Sequence, residues 1–305
     1  MNKKFSLAIA ATILFYCTGC AQQTGPYSWD TLHLIKPGAT LTKVSGQFKF
    51  TEGPAVDKAG NIFFTDQPND KIWEYDTAGK LSLFMDGTGR ANGMYFDKTG
   101  RLIACADEQN ELRAITTGHR TTVLLNQFDG HKLNGPNDLW IDKSGGIYFT
   151  DPYYQRNYWQ RKKPDLTRQS VYYLAANSNN AVVADSLLMQ PNGIVGTPDG
   201  SYLFVADIQA SKTYRYSINK DASLSGRQLF VSQGSDGMTL DEKGNVYFTG
   251  KGVTIYNNLG KLIGNIAVPA NWVGNICFGG SDRKTLFITA SESVFTLQMQ
   301  VKGVE

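Results

Sequence analysis

Six polar residues recur along this chain at near-regular intervals: Glu52, Asn92, Asn137, Asn192, Asp236 and Asn275. The steps between them are 40, 45, 55, 44 and 39 residues. Each one opens a short apolar run. Glutamate, aspartate and asparagine side chains together form an all-oxygen donor set. Hard divalent cations want that chemistry, with Ca2+ as first choice and Mg2+ or Zn2+ as alternatives; a site rich in Cys and His would look different. If the six positions converge in a narrow, partly dry space, Glu52 and Asp236 repel each other. At least one must then hold a proton, unless a cation lies between them. At Asn92 and Asn275 the simpler role, shaping the turn into a strand, carries more weight. The three His residues are poorly placed for a His cluster, and His33 lies outside the repeats.

The elements that would position these residues follow from the repeat itself. One copy reads Asn137-Asp-Leu-Trp-Ile-Asp142-Lys-Ser-Gly145-Gly-Ile-Tyr-Phe-Thr-Asp151, and the copies beginning at Glu52, Asn92, Asn192 and Asp236 match it closely. The sixth, from Asn275, is weaker. Each is a strand, an Asp-x-x-Gly turn or a variant of it, and a second strand. Asp closes such a turn by accepting backbone N–H groups, and Gly supplies a positive φ. A second strand pair follows each hairpin, as in Lys71–Asp76 and Leu81–Phe84. Four strands per unit of about 40–45 residues make a propeller blade. Six starts predict an all-β, six-bladed β-propeller with four antiparallel strands per blade, over residues 40–305. The last copy runs out of chain after Leu297, so Thr40–Val44 is expected to supply its missing outer strand. The third unit carries about ten extra residues within Tyr153–Gln169. That stretch is aromatic and basic, too polar for a core, and is expected to be a loop over one face.

The N-terminus reads as an address. Lys3 and Lys4 precede an apolar stretch, Phe5 to Cys17, too short to span a bilayer as a helix. It ends in Cys17-Thr18-Gly19-Cys20-Ala21, which resembles a bacterial lipobox with Cys17 where Leu is preferred. Residues 1–19 are expected to be a lipoprotein-type signal peptide, with Cys20 as the lipidated first residue and 20–39 as a linker; a plain secretory signal is the alternative. The protein would then be exported, either periplasmic or membrane-anchored through Cys20. Without residues 1–19 the balance is 28 basic against 27 acidic residues. Nothing in that balance asks for a nucleic-acid or anionic-membrane partner. Cys105 and Cys277 sit in apolar runs and read as buried thiols.

Glu52-Gly-Pro, Asn134-Gly-Pro-Asn137-Asp138, Pro191-Asn192-Gly193 and Ser235-Asp236-Gly237 resemble the four signature sites of the gluconolactonase and regucalcin family. The resemblance spans about residues 40–298. The Asn-x-Pro-Asn-Asp form and Thr150-Asp151-Pro152 are closer to its bacterial gluconolactonase branch. It implies that Glu52, Asn192 and Asp236 bind one divalent metal ion, and that Asn137 binds metal, substrate or metal-bound water. It also makes Asp236 the candidate general base. The family's regucalcin branch places an Arg two residues before its matching Asn. Here Gly135 stands there, so other groups must hold the substrate; the candidates are Asn137, Asn134, His131, Lys132, Tyr153, Tyr154 and Arg156.

The expected reaction is hydrolysis of a small sugar lactone to the aldonic acid. The metal polarises the ring carbonyl and water attacks, giving its proton to Asp236. No Gly-x-Ser-x-Gly is present, which argues against a serine acyl-enzyme. Diisopropyl fluorophosphatase resembles the same Glu, Asn, Asn, Asp arrangement, so a phosphotriesterase is the alternative enzyme. A non-catalytic, ligand-binding propeller is the alternative of another class.

Overall fold

The structure is a computed structural model and describes residues 27–304. The signal peptide and Cys20 lie outside the described residues. Six four-stranded antiparallel sheets succeed one another along the chain, and the only helical turn among the described residues is Gln67–Asn69. Blades 1 to 5 begin with the strands Thr51–Val56, Ala91–Phe96, Leu139–Ile141, Pro191–Gly196 and Met238–Leu240. In each, the four strands pair in sequence order. Blade 6 takes Val273–Gly279, Thr285–Ala290 and Ser293–Gln298 from the C-terminal end. Its outermost strand, Thr42–Ser45, comes from the N-terminal end and pairs with Ser293–Gln298. The ring therefore closes as the sequence predicts, by one strand contributed from the far end of the chain. The added strand covers the edge of Ser293–Gln298 and ties the two ends of the chain into one sheet.

The innermost strands are buried along their length because each meets the neighbouring blades on both sides. Small residues permit that approach. A Cβ on Gly53 would stand 1.9 Å from the carbonyl oxygen of Asn92 in the next blade, and one on Gly193 2.8 Å from that of Asp236. Aromatic and aliphatic side chains fill the wedges further out, such as Trp140 and Tyr148 against Val195 and Phe204 between blades 3 and 4. Cys105 and Cys277 are buried thiols.

The two ends of the propeller body are also pinned. Residues 27–39 pack on blades 5 and 6, where Leu34 and Ile35 join Val253, Ile276 and Phe295. The buried Asp30 carboxylate accepts the N–H groups of both Leu34 and Ile35 at 2.8 Å. At the C-terminus, Gly303 bridges to Asp241. Part of the stretch expected as a linker is thus docked chain.

Candidate functional site

All six innermost strands run the same way, so their first residues gather at one mouth of the central channel. The inter-strand bonds fix which residue occupies which level. Asp138, Gly237 and Asn275 each donate their backbone N–H to the hydroxyl of a threonine on the adjacent strand: Thr150, Thr249 and Thr289, at 3.2, 2.7 and 2.9 Å. These three are therefore equivalent. The level above them holds Asn137, Asp236 and Gly274, together with Glu52, Asn92 and Asn192 from the other blades. Asn275 was expected in this upper ring; the register lowers it by one residue and puts Gly274 in its place. The reason is space: a Cβ on Gly274 would lie 2.7 Å from Glu52 Oε1.

Four of the six blades carry Gly at the lower level, namely Gly53, Gly93, Gly193 and Gly237. Blades 3 and 6 stand opposite one another and carry Asp138 and Asn275 there instead. Their side chains meet across the channel, with Asn275 Nδ2 donating to Asp138 Oδ2 at 3.3 Å. Asn275 also hydrogen-bonds Glu52. The pair forms a polar floor beneath the upper ring.

The ring is polar and largely dry. Glu52, Asn92, Asn137, Asn192 and Asp138 are buried, whereas Asp236 keeps some exposure. Burial pushes the Glu52 carboxyl well above its ordinary range, and the charges of Asp236 and Asp138 push it further. Burial raises Asp138 to about 7 and Asp236 to about 6. Asp236 is restrained by a 2.6 Å hydrogen bond from the Trp272 indole to its Oδ2, by Asn192 and by the charge of Arg156. Asn192 gives its amide to the Tyr154 hydroxyl at 3.0 Å, while its Oδ1 is buried without a partner, as is that of Asn92. Three carboxyls under mutual repulsion and an orphaned carboxamide oxygen are what a hard cation would relieve. The donors present fit such an ion.

The insertion in blade 3 lies at this same mouth. Its second strand, Ile147–Asp151, ends beside Asn137, whose N–H bonds the Thr150 carbonyl at 2.9 Å. From there the chain reaches sideways to blades 1 and 2. The anchor is Asp107, a buried carboxylate following the second strand of blade 2. Its Oδ2 accepts Arg156 Nε at 2.6 Å, the Tyr158 hydroxyl at 2.7 Å and Gln67 Nε2 at 3.1 Å. Its carbonyl takes the Trp159 indole N–H at 3.0 Å. Arg161 lies 4.4 Å over Trp159 and donates to the Asn134 carbonyl. Asp107 thus accepts three hydrogen bonds from this polar, aromatic loop.

The family model for the SMP-30/Gluconolactonase/LRE-like region matches residues 50–292, which is nearly all of the propeller. The chain belongs to this family. Among curated members, the gluconolactonase of Zymomonas mobilis is 26% identical over 301 residues, covering 88% of this chain and 84% of that one. The pentonolactonase XacC of Haloferax volcanii is 30% identical over 266 residues, covering 83% and 85%. Among solved structures, the gluconolactonase of Xanthomonas campestris superposes with a TM-score of 0.82 at 26% identity, over 88% of this chain and 92% of the other.

Within this SMP-30/gluconolactonase-like propeller, the candidate substrate residues divide by position. Tyr154 touches the ring through Asn192, and Arg156 acts on Asp236 through its charge. Tyr153 stands on the same loop, its hydroxyl on Gln155. Asn134 is fully buried and gives its amide to the carbonyls of Asp151 and Arg168, so its donors serve the loop. His131 and Lys132 are exposed on a small hairpin, Gln127–Phe128 against His131–Lys132. That hairpin packs its Phe128 on Tyr172 at the outer part of blade 3, away from the ring. Three further residues belong to the site and were not assigned a role from sequence: Asp138, Trp272 and Asp107. Asp138 had a readable signal, since it replaces the Gly that follows the first polar residue in four of the six repeats. Trp272 and Asp107 had none, because their partners lie 36 and 49 residues away.

Proposed function

We propose that this protein is a metal-dependent lactonase that opens a sugar lactone to the aldonic acid. The observation that carries the proposal is the convergence of Glu52, Asn137, Asn192 and Asp236 on one level of the channel, with a buried, unpartnered oxygen on Asn192. Named gluconolactonases and a pentonolactonase among the relatives support the substrate class. Glu52, Asn192 and Asp236 would hold one divalent cation, Ca2+ by the hardness of the donors, with Asn137 beside it. Such an ion, when bound, supplies Lewis-acid polarisation of the ring carbonyl.

The protein's own groups do the rest. Asp236 Oδ2 is fixed by the Trp272 indole, which orients the carboxylate. Asp236 accepts a proton from the attacking water as the new C–O bond forms. When the ring C–O bond breaks, that proton is available to the departing alkoxide, and the hydroxy acid leaves. The Tyr154 hydroxyl, raised in pKa by burial and by Asp236, stays protonated and can donate to a substrate oxygen.

The test is direct. Purified protein is offered a panel of aldonolactones and phosphotriesters under a pH indicator, with and without chelator. Acid release from lactones that chelator abolishes and Ca2+ restores is the expected result. Turnover of phosphotriesters alone, or of nothing, overturns the reading. We also read residues 1–19 as a lipoprotein signal and Cys20 as the anchor; mass spectrometry of the mature N-terminus from membranes should find a diacylglyceryl Cys20.

A further inference from the structure

A second space opens beside the ring. A cleft of about 730 Å3 lies between the insertion and the top of blades 1 and 2, lined by Gln67, Arg90, Gln155, Arg156 and Tyr158. Its strongest donors are two guanidinium groups. Arg156 spends its Nε on Asp107, and its outer nitrogens have no partner among the described residues. Arg90 lies 4.4 Å over the Tyr158 ring and gives one terminal nitrogen to the Pro68 carbonyl, while its buried Nε stands on the side of Glu108. The acids nearby are Asp107, whose Oδ2 is saturated by three donors, and the exposed Glu108, 3.9 Å from Arg90.

The insertion also concentrates charge. Residues 152–169 contain five basic side chains and one acid, a balance of +4, while the whole chain carries +3. The rest of the molecule therefore sums to −1, or to −3 without residues 1–19, and the excess positive charge stands on this lip. A one-signed lip over a cleft raises the local concentration of anions and steers them inward. Arg156 joins the two spaces: it faces the cleft, lies 5.6 Å from the Tyr154 ring and acts on Asp236. The position where a Cβ on Gly135 would project is closed by Asp107 Oδ1 at 3.0 Å and Trp159 at 3.1 Å. The guanidinium at this mouth thus arrives from the insertion, set by Asp107.

We propose that this cleft is an anion subsite, and that the substrates are lactones whose exocyclic chain ends in an acidic group such as a carboxylate. The lactone ring sits over the polar ring, and the chain runs into the cleft to meet Arg156 and Arg90. Guanidinium forks match carboxylates in two-point geometry, which gives selectivity as well as attraction. Asp107 is a positioning residue: it holds Arg156 by Nε so that the outer nitrogens face the ligand. This inference rests on the lactonase reading for its chemistry, but the subsite can be read by binding alone.

Two measurements keep the readings separate. Calorimetry in Ca2+ compares D-glucarate, which carries two carboxylates, with D-gluconate, which carries one. Steady-state assays compare an aldaric acid monolactone with glucono-lactone. The wild-type protein should bind glucarate at least tenfold more tightly than gluconate, and prefer the acidic lactone through KM more than through kcat. R156Q should lower both preferences about tenfold, R156K should restore them in part, and D107N should act in the direction of R156Q. Should R156Q fail to fold, R90Q reads the other wall of the cleft. Equal binding of glucarate and gluconate by the wild type, or preferences unmoved by R156Q and R90Q, overturns the subsite. Selective glucarate binding without turnover of any lactone leaves the subsite standing and overturns the lactonase reading.

Discussion

The two mouths of the channel are built from the same acids put to opposite use. At the mouth where the Asp-x-x-Gly turns lie, each carboxylate is consumed by its own turn. Asp57 Oδ1 accepts the N–H groups of Gly60 and Asn61, Asp142 Oδ1 those of Ser144 and Gly146, and Asp241 Oδ1 those of Lys243 and Asn245. The Thr197 and Ser201 hydroxyls hold Asp199 at about 2. At the other mouth Glu52, Asp138 and Asp236 face one another with too few donors, and all three are pushed upward. Carboxylates with partners build structure. Carboxylates without enough partners mark the place where a ligand must supply the difference.

The largest effect expected from breaking this contrast is at Asp236. Asp236→Asn keeps an oxygen and removes the base, and should cost about two or more orders of magnitude in lactone turnover. Metal content measured on the same sample checks the premise; a metal-loaded variant with near wild-type turnover would move the base to Glu52 or to a second water. Glu52→Gln removes one charge from the ring while preserving its oxygen donor. Its affinity for Ca2+ should fall by about tenfold or more, as charge count tunes such sites. Calorimetric titration reads this, and an unchanged Kd would place the cation elsewhere.

Removing the cation should expose the repulsion as a pH dependence of stability. Glu52, Asp138 and Asp236 have raised folded-state pKa values, so between their unfolded values near 4 and about 7 the native state holds protons that the unfolded chain has released. Stability must then fall as pH rises through that window. Chelator-treated protein should show a higher Tm at pH 5 than at pH 7.5, and added Ca2+ should raise Tm most at the higher pH. A flat chelated profile would show that the ring is relieved by something other than protons or a cation. The smallest effect belongs to the other mouth. Asp57→Ala removes acceptors for two backbone N–H groups and should cost about 1–2 kcal/mol by chemical denaturation. Turnover per folded molecule should stay unchanged, and a loss there would mean the two mouths are coupled.

Much of this contrast was legible in the chain. The Asp-x-x-Gly turns, the six starts and the four signature sites are local patterns, and a local pattern read six times fixes a blade, a blade count and a common level for Glu52, Asn137, Asn192 and Asp236. Even the closing strand could be placed, because the last repeat lacked one. Asn275 was set one level too high because Gly274 and Asn275 are adjacent, and sequence spacing alone cannot tell which of two neighbours a ladder will align. The room Gly274 leaves for Glu52 and the bond from the Asn275 N–H to the Thr289 hydroxyl go together in the structure.

What the sequence by itself determined is therefore the scaffold and the inventory of oxygens at its axis, since both follow from short-range periodicity. What only the tertiary structure decided is the pairing of residues far apart in the chain. The Asp138–Asn275 floor joins opposite blades 137 residues apart, and Trp272 reaches Asp236 from the next blade. His131 is carried outward with its hairpin, while Arg156 is drawn inward by Asp107. Each of these depends on how a closed ring brings its members together. A buried carboxylate finds its partner by proximity and the cost of desolvation, and neither is written in the order of residues along the chain.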